Sequence, residues 1–221
     1  MTKILILGGT KEAAELAAQL VAENHDVTTS LAGRTKEPEP VSGKVRIGGF
    51  GGIEGLADYL KSNAIELLID ATHPFAKQIS DNAVEAANLA NVKLEIKTRP
   101  EWQKQEEDRW IEVSSLDAAR DAISAGARVL LALGSQHIDL FRTRSDVFYL
   151  VRMVDQPPEP LSLPNHELLI GKPDTEWQRE KETLEQYGIT HIVCRNSGGT
   201  GAYAKIEAAR NLGIKVVIVA R

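Results

Sequence analysis

Short apolar runs that end in glycine-bearing or polar turns alternate with amphipathic stretches along almost the whole chain. The first run, residues 3–7, ends at Gly8 and Gly9, and residues 12–23 then repeat apolar side chains at helical spacing. Strands that alternate with helices pair in parallel through right-handed crossovers. The pattern therefore predicts an α/β fold built on doubly wound parallel sheets.

The predicted elements fall into two groups, separated by a polar segment at residues 98–110 that shows no regular period. The first group has strands at 3–7, 25–30, 44–47, 66–70 and 92–96 and helices at 12–23, 53–61 and 76–91. The second has strands at 110–113, 128–133, 147–154, 167–170, 191–195 and 215–219 and helices at 115–125, 175–187 and 201–212. We expect two Rossmann-like domains, residues 1–98 and 99–221, with a cleft between them. One continuous sheet with a central insertion is the alternative.

The composition excludes several classes of protein. The single cysteine, Cys194, excludes an internal disulfide and a multi-cysteine metal site, and the scattered histidines suggest no metal ligation. A net charge of −5, from 26 Lys and Arg against 31 Asp and Glu, argues against nucleic acid as the main partner. No apolar run approaches the roughly 20 residues of a membrane span, and the N-terminus lacks a secretory pattern. We therefore expect a cytoplasmic protein without a membrane partner.

The first turn lies between a predicted strand and a predicted helix, and it consists of Gly8, Gly9, Thr10, Lys11 and Glu12. Backbone N–H groups at such a helix start favour the phosphates of a dinucleotide. The usual glycine spacing is absent, because Thr10 and Ala13 stand where glycines are expected. A dinucleotide site and a tight turn capped by Thr10 are equally supported.

The second strand ends at Ser30 and is followed by Gly33 and Arg34, without a carboxylate. NAD-binding proteins usually carry an acidic residue here, whereas an arginine can grip the 2′-phosphate of NADPH. The pattern favours NADPH, with NADH possible; an exposed loop arginine is the alternative interpretation.

Four glycines then surround one aromatic residue, and the central part is Gly49, Phe50 and Gly51. Ordering so many glycines costs backbone entropy, so a structural use is expected. The interpretations are a mobile loop laid over the cofactor and a plain flexible turn.

A buried predicted strand ends at Asp70, and Thr72, His73 and Pro74 follow it. Ligands of open α/β sheets gather outside the carboxyl ends of the strands. We expect His73 to contact cofactor or substrate, and it is the candidate proton donor. The alternative is a helix capped by Thr72 or His73, with Pro74 in the first turn.

The second half carries two similar turns and a cationic joining segment, whose residues are candidates for binding substrate. One turn contains Gly134 and Ser135; the other contains Arg195, Asn196, Ser197, Gly198 and Gly199, with Lys205 in the helix that follows. Glycine-bearing turns before helices hold anions, although Ser197 or Thr200 capping the helix is the alternative. Arg99 and Trp102 would line the cleft, or else lie at the surface and pack the hinge.

The motifs GGTKEAAELA, SLAGR, VRIGGFGG, DATHPFA, RPEW followed by DRW, and NSGGTGAYAK occur in this order. Together they resemble the precorrin-6A reductase family of cobalamin biosynthesis, and the resemblance spans residues 4–221. It implies that a hydride from NADPH reduces a ring double bond of the tetrapyrrole precorrin-6A, giving precorrin-6B. The alternatives are a cobalt-precorrin-6A reductase that uses NADH and a non-catalytic tetrapyrrole or nucleotide sensor.

The resemblance also implies roles for residues. Cofactor contacts would fall on Gly9, Thr10, Glu12, Ser30, Arg34, Phe50, Gly51, Thr72 and His73. The substrate would lie in the cleft and reach residues 196–199 and Lys205. Because this substrate is a polycarboxylate, we expect a positive cleft, with the excess acidic residues on the outer faces.

Overall fold

The computed structural model describes residues 1–33 and 40–221, and the chain divides into two compact units, Met1–Arg99 and Pro100–Arg221. Each unit holds one parallel sheet flanked by helices. The expected fold class of two parallel-sheet α/β units is therefore confirmed. Arg34, which carries the prediction of NADPH preference, lies outside the described residues.

The first unit has a five-stranded sheet in the order β3-β2-β1-β4-β5. The strands are β1 (Lys3–Leu7), β2 (Asp26–Leu31), β3 (Lys44–Ile47), β4 (Leu67–Asp70) and β5 (Lys93–Ile96), and the helices are α1 (Lys11–Ala22), α2 (Gly52–Ser62) and α3 (Lys77–Ala90). The strand order reverses between β1 and β4, so the loops that follow these strands flank the crevice where ligands of such sheets bind.

The second unit has a six-stranded sheet in the order β6-β11-β10-β7-β8-β9. The strands are β6 (Arg109–Val113), β7 (Arg128–Ala132), β8 (Phe148–Met153), β9 (His166–Ile170), β10 (His191–Arg195) and β11 (Lys215–Val219). The helices are α4 (Leu116–Asp121), a 3-10 helix (Ser135–Phe141), α5 (Trp177–Gln186) and α6 (Ala204–Leu212). The order reverses between β7 and β10, which places the loops after these two strands side by side.

The cores explain why the strands form where the apolar runs lie. In β1, Leu5 packs against the layer of α2 and α3, while Ile4 and Ile6 pack toward α1. Both faces of this central strand are buried, which is why its sequence is continuously apolar instead of alternating. Each such side chain contributes about 1.5–3 kcal/mol on burial.

Helices α4, α5 and α6 of the second unit are each shorter than their sequence pattern predicts, α5 by two residues at its start and one at its end. Helix α4 ends at Asp121, and the Arg144 guanidinium, which comes from the segment before β8, caps carbonyls at this end. It donates to the carbonyl of Arg120 at 3.0 Å and to that of Ile123 at 3.1 Å. Helix α6 begins only at Ala204, after a turn in which the Tyr203 N–H donates to the Thr200 carbonyl.

Two further features concern connections. The 3-10 helix Ser135–Phe141 is absent from the sequence prediction. The proline-rich segment 154–165 joins β8 to the edge strand β9, in agreement with its composition. No helix among the described residues has the length and apolar character needed to cross a membrane.

Candidate active site

The loop after β1 is tied to the loops after β2 and β4. The Thr10 hydroxyl accepts a hydrogen bond from the Ala13 N–H at 3.1 Å and donates to the Ala71 carbonyl at 3.0 Å. The Gly8 N–H donates to the Ser30 carbonyl at 3.0 Å. Thr10 therefore caps α1, and the same side chain fixes the crevice between β1 and β4.

The same loop also presents a row of backbone donors. Within residues 1–33 and 40–221, the N–H groups of residues 9–12 donate to no protein acceptor. Gly9 has a φ of +105°, a conformation that side-chain-bearing residues rarely adopt. Amides that converge at a helix N-terminus bind phosphate. The capped turn and the dinucleotide site are therefore compatible features of one loop.

Arg46 organises the glycine-rich loop, a role that sequence reasoning missed. It lies on β3 opposite Ser30 in the strand register and donates to the Ser30 hydroxyl at 3.1 Å. It also donates to the carbonyls of Gly48 and, at 2.7 Å, Gly49. The guanidinium carbon stands 3.7 Å from the centre of the Phe50 ring. These contacts fasten the loop to β3, and its position over a cofactor stays a prediction.

The other side of this loop lies against α2. The Phe50 ring meets Tyr59 edge-on at 5.2 Å. Gly51 has a φ of +84° at the N-cap of α2, where no side-chain hydrogen bond is formed. A Cβ on Gly55 would stand 1.8 Å from the Phe50 carbonyl oxygen. Gly49, by contrast, has open space around it, and a Cβ on Gly33 would lie 3.0 Å from Ile47.

The loop after β4 is folded back on buried Asp70. The Thr72 hydroxyl and N–H both donate to the Asp70 carboxylate, at 2.7 and 3.0 Å. His73 Nδ1 accepts from the Phe75 N–H at 3.3 Å, so the proton of the neutral ring lies on Nε2. The interpretation that Thr72 or His73 caps the helix is wrong, because α3 begins at Lys77 with Ala76 as its N-cap. Pro74 accordingly lies in a turn before the helix.

The two candidates from the joining segment have different environments. Arg99 Nη1 lies 2.6 Å from Glu12 Oε2, so its guanidinium is at the start of α1 in the first unit. Trp102 is buried in the second unit, and its Nε1–H donates to the Gly199 carbonyl at 2.6 Å. Arg99 thus pairs with Glu12, a predicted cofactor-binding residue. Trp102 supports the turn at residues 196–199, which is predicted to bind substrate.

A side-chain contact links the loops after β7 and β10. Arg195 Nη2 lies 2.8 Å from His137 Nε2, on the 3-10 helix. Gly134 and Ser135, which begin this segment, are exposed. Burial lowers the pKa of Arg195 from its usual value. The arrangement brings the two predicted substrate turns together at the edge of the second sheet.

The turn at residues 196–199 is held from beneath. Asn196 is buried; its amide oxygen accepts from the Trp102 N–H at 2.9 Å, and its amide nitrogen donates to the Trp102 carbonyl at 3.0 Å. Arg221 donates to the carbonyl of Asn196 at 3.1 Å and to that of Ser197 at 2.8 Å. Sequence reasoning missed Arg221, because nothing near it in the chain indicates this contact.

The upper side of the same turn carries amides. Gly198 and Gly199 have φ values of +65° and +67°. In the part of the chain that the structure describes, the N–H groups of residues 198–201 have no acceptor. Neither Ser197 nor Thr200 caps α6, whose N-cap is Tyr203. The capping alternative is therefore wrong, and the turn has the form of an anion-binding nest.

Lys205 and Cys194 lie below this turn, in the core. Lys205 is only 4% exposed; its Nζ donates to the Ala202 carbonyl at 2.6 Å and stands 4.9 Å from the centre of the Trp102 ring. Burial lowers the pKa of the Lys205 ammonium and raises that of the Cys194 thiol. The prediction of a buried, unreactive cysteine is consistent with this position.

The comparisons with known proteins agree with one another. A family model described as "Precorrin-6x reductase CbiJ/CobK" matches residues 3–221. The precorrin-6A reductase of Rhodobacter capsulatus is 45% identical over 222 residues, which cover 100% of this chain and 88% of that protein. This chain belongs to the precorrin-6x reductase CbiJ/CobK family.

Structure and more distant relatives support the assignment. A solved structure described as CobK precorrin-6A reductase superposes with a TM-score of 0.97 at 44% identity, covering 100% of this chain and 88% of that one. The cobalt-precorrin-6A reductase of Priestia megaterium is 28% identical, covering 99% of this chain and 90% of that protein. The family resemblance carried by the quoted motifs is confirmed. Among the described residues, no three His, Cys, Asp or Glu side chains form a group suited to a metal ion.

Proposed function

We propose that this member of the precorrin-6x reductase family is an NADPH-dependent precorrin-6A reductase. A hydride passes from NADPH to one carbon of a ring double bond of precorrin-6A, and a proton adds to the other carbon. The products are precorrin-6B and NADP⁺. The observation that carries the proposal is a row of amides at residues 9–12 that have no acceptor in the described part of the chain, at the crevice of a Rossmann-type sheet in a chain of this family.

The first unit has the features that a dinucleotide requires. The amides of residues 9–12 would hold the pyrophosphate, and Ser30 and Arg34 would bind the adenosine ribose with its 2′-phosphate. Thr72 and His73 lie at the end of β4, where the nicotinamide ring would be placed. When bound, reduced nicotinamide supplies the hydride, while the protein supplies orientation and charge.

The second unit has the features that carboxylates of a tetrapyrrole require. The amides of residues 198–201 and the guanidinium of Arg195 lie at the β7–β10 crevice. Backbone nests and guanidinium groups are the usual partners of carboxylates. Lys205 is buried under the turn, so its charge would act on a bound carboxylate through the electrostatic field and not by direct contact.

His73 Nε2–H is the proposed donor of the proton that adds to the double bond during its reduction.

Arg34→Ala should weaken NADPH binding by about 1–3 kcal/mol and leave NADH binding nearly unchanged, because only NADPH carries the 2′-phosphate. The measurement is a dissociation constant for each cofactor by titration calorimetry. Arg142→Ala, which removes an exposed arginine of the second unit, is the matched control. Equal losses for both cofactors in the Arg34 variant would contradict a phosphate contact.

Thr10→Val should destabilise the protein by about 1–2 kcal/mol through loss of the helix cap, and should also weaken NADPH binding. The reason is that Thr10 also holds the loop to Ala71 through a 3.0 Å hydrogen bond. Ser115 caps α4 in the same way, accepting from the Ala118 N–H at 3.1 Å. Ser115→Ala should therefore lose similar stability, measured by urea unfolding, but keep the wild-type affinity for NADPH.

The direct test of the proposed function is turnover by the purified protein. Precorrin-6A and NADPH are mixed with it, and the near-ultraviolet absorbance of the reduced nicotinamide is followed. One NADPH should be consumed for each precorrin-6A reduced. Tight binding of NADPH and tetrapyrrole without oxidation would instead support the sensor hypothesis.

A further inference from the structure

The Arg46 guanidinium has N–H donors that its contacts with Ser30 and the glycine-rich loop do not use. Of its five N–H groups, both on Nη1 are directed at Ser30 and Gly48, and one on Nη2 at Gly49. Among residues 1–33 and 40–221, no acceptor contacts Nε–H or the second Nη2–H. The Nε and Nη2 atoms lie on the side edge of the guanidinium, an edge that can bind one oxyanion in a bidentate manner.

This edge is held in place before any ligand arrives. The guanidinium is stacked 3.7 Å from the centre of the Phe50 ring, which in turn meets Tyr59 edge-on at 5.2 Å. Three hydrogen bonds to Ser30, Gly48 and Gly49 fix its plane. A side chain so ordered loses little conformational entropy on binding, which favours affinity for an anion.

The location selects which phosphate of a dinucleotide this edge meets. The pyrophosphate site lies at the loop after β1, and β3 is separated from β1 by β2. Two strand spacings amount to about 10 Å. The side edge of the Arg46 guanidinium is therefore displaced from the pyrophosphate by roughly the distance that separates the pyrophosphate from the 2′ position of the adenosine ribose. Ser30, which accepts from Arg46, is the last residue but one of β2, the strand whose carboxyl end binds this ribose in Rossmann sheets.

We propose that Arg46 binds the 2′-phosphate of NADPH through Nε–H and Nη2–H and thereby contributes to cofactor specificity. The inference rests on the proposed function, because it takes NADPH to be the cofactor. The Ser30 hydroxyl accepts from Arg46 and thereby keeps its own proton for the same phosphate. Removal of Arg46 therefore affects cofactors with the 2′-phosphate and spares those without it.

The test compares two fragments of the cofactor that differ in this group alone. Adenosine 2′,5′-bisphosphate and adenosine 5′-monophosphate are titrated calorimetrically into the wild-type chain and the variants. Arg46→Ala should weaken binding of the bisphosphate by about 10- to 100-fold and change the affinity for the monophosphate little. Lys44→Ala, on the same strand, removes a cation that pairs with Asp26 at 2.7 Å and should leave both affinities unchanged.

Further variants separate binding from loop shape. Arg46→Lys keeps the charge but lacks the bidentate edge. Its affinity for the bisphosphate should therefore fall between that of the wild type and that of the alanine variant. Arg46→Gln serves as the neutral variant if the alanine protein has a lowered thermal unfolding midpoint. Equal losses of both fragments would show that Arg46 only shapes the loop, and an unchanged affinity ratio would likewise overturn the proposal.

Turnover of the wild-type chain distinguishes failure of the proposed cofactor from failure of the proposed role of Arg46. Reduction of precorrin-6A with NADH and none with NADPH would refute the proposed cofactor itself. Reduction with NADPH, together with an unchanged fragment ratio in Arg46→Ala and Arg46→Gln, would refute only the role of Arg46.

Discussion

The Gly198→Ala variant is expected to lose about 2–4 kcal/mol of unfolding free energy and most of its turnover. A Cβ at this position would stand 2.1 Å from the Pro100 carbonyl oxygen and 2.6 Å from Arg221 Nη2. The φ of +65° adds strain for any residue with a side chain. The turn must therefore move away from both contacts, and the amides of residues 198–201 lose their common direction.

A control for this variant lies in the same turn. Gly201 has no heavy atom within 4 Å of a built Cβ, so Gly201→Ala should change stability by less than about 1 kcal/mol. Unfolding in urea and kcat/KM for precorrin-6A are measured for both proteins. Equal stability and activity of the two variants would contradict the described packing of the turn on Pro100.

Glu180→Ala is expected to lower the free energy of unfolding by about 3–5 kcal/mol, because it leaves a buried guanidinium without its partner. Glu180 is 1% exposed, and its two carboxylate oxygens lie 2.7 and 2.8 Å from Arg152 Nη1. The carboxylate also accepts from the Asp174 N–H at 2.8 Å. The side chain thereby joins β8, α5 and the segment before α5.

The neighbouring exposed pair supplies the comparison. Lys181 Nζ lies 3.9 Å from Glu185 on the outer face of α5. Lys181→Ala should therefore change the unfolding free energy by less than about 0.5 kcal/mol. The double variant Arg152→Met with Glu180→Leu should recover much of the loss, since replacing both charges leaves none buried. A loss below about 1 kcal/mol for Glu180→Ala alone would contradict the buried pair.

The strands could be predicted from the sequence because buried parallel strands are continuous apolar runs. Strands β1, β3, β10 and β11 begin and end at the predicted residues. Helix starts were less accurate, because they depend on turns such as the one before α6, where two glycines adopt positive φ. The crevice loops were also recognised, since glycine-bearing turns at strand ends are local features.

What the sequence does not indicate are the contacts that hold these loops. Arg46 reaches glycine carbonyls only two and three residues away, yet its stacking on Phe50 depends on the fold of the loop. Asn196 pairs with Trp102, which is 94 residues distant, and Arg221 reaches Asn196 across 25 residues. Such side-chain to backbone bonds follow from tertiary packing and leave no periodic pattern.

The central claim, that this chain transfers a hydride from NADPH to precorrin-6A, is tested most directly by isotope transfer. NADPH deuterated at the transferable position of the nicotinamide ring is incubated with precorrin-6A and the purified protein. Mass spectrometry of the tetrapyrrole should show one deuterium on a ring carbon of precorrin-6B, retained in protonated solvent. A reduced product without deuterium, or no reduction with either nicotinamide cofactor, would contradict the account.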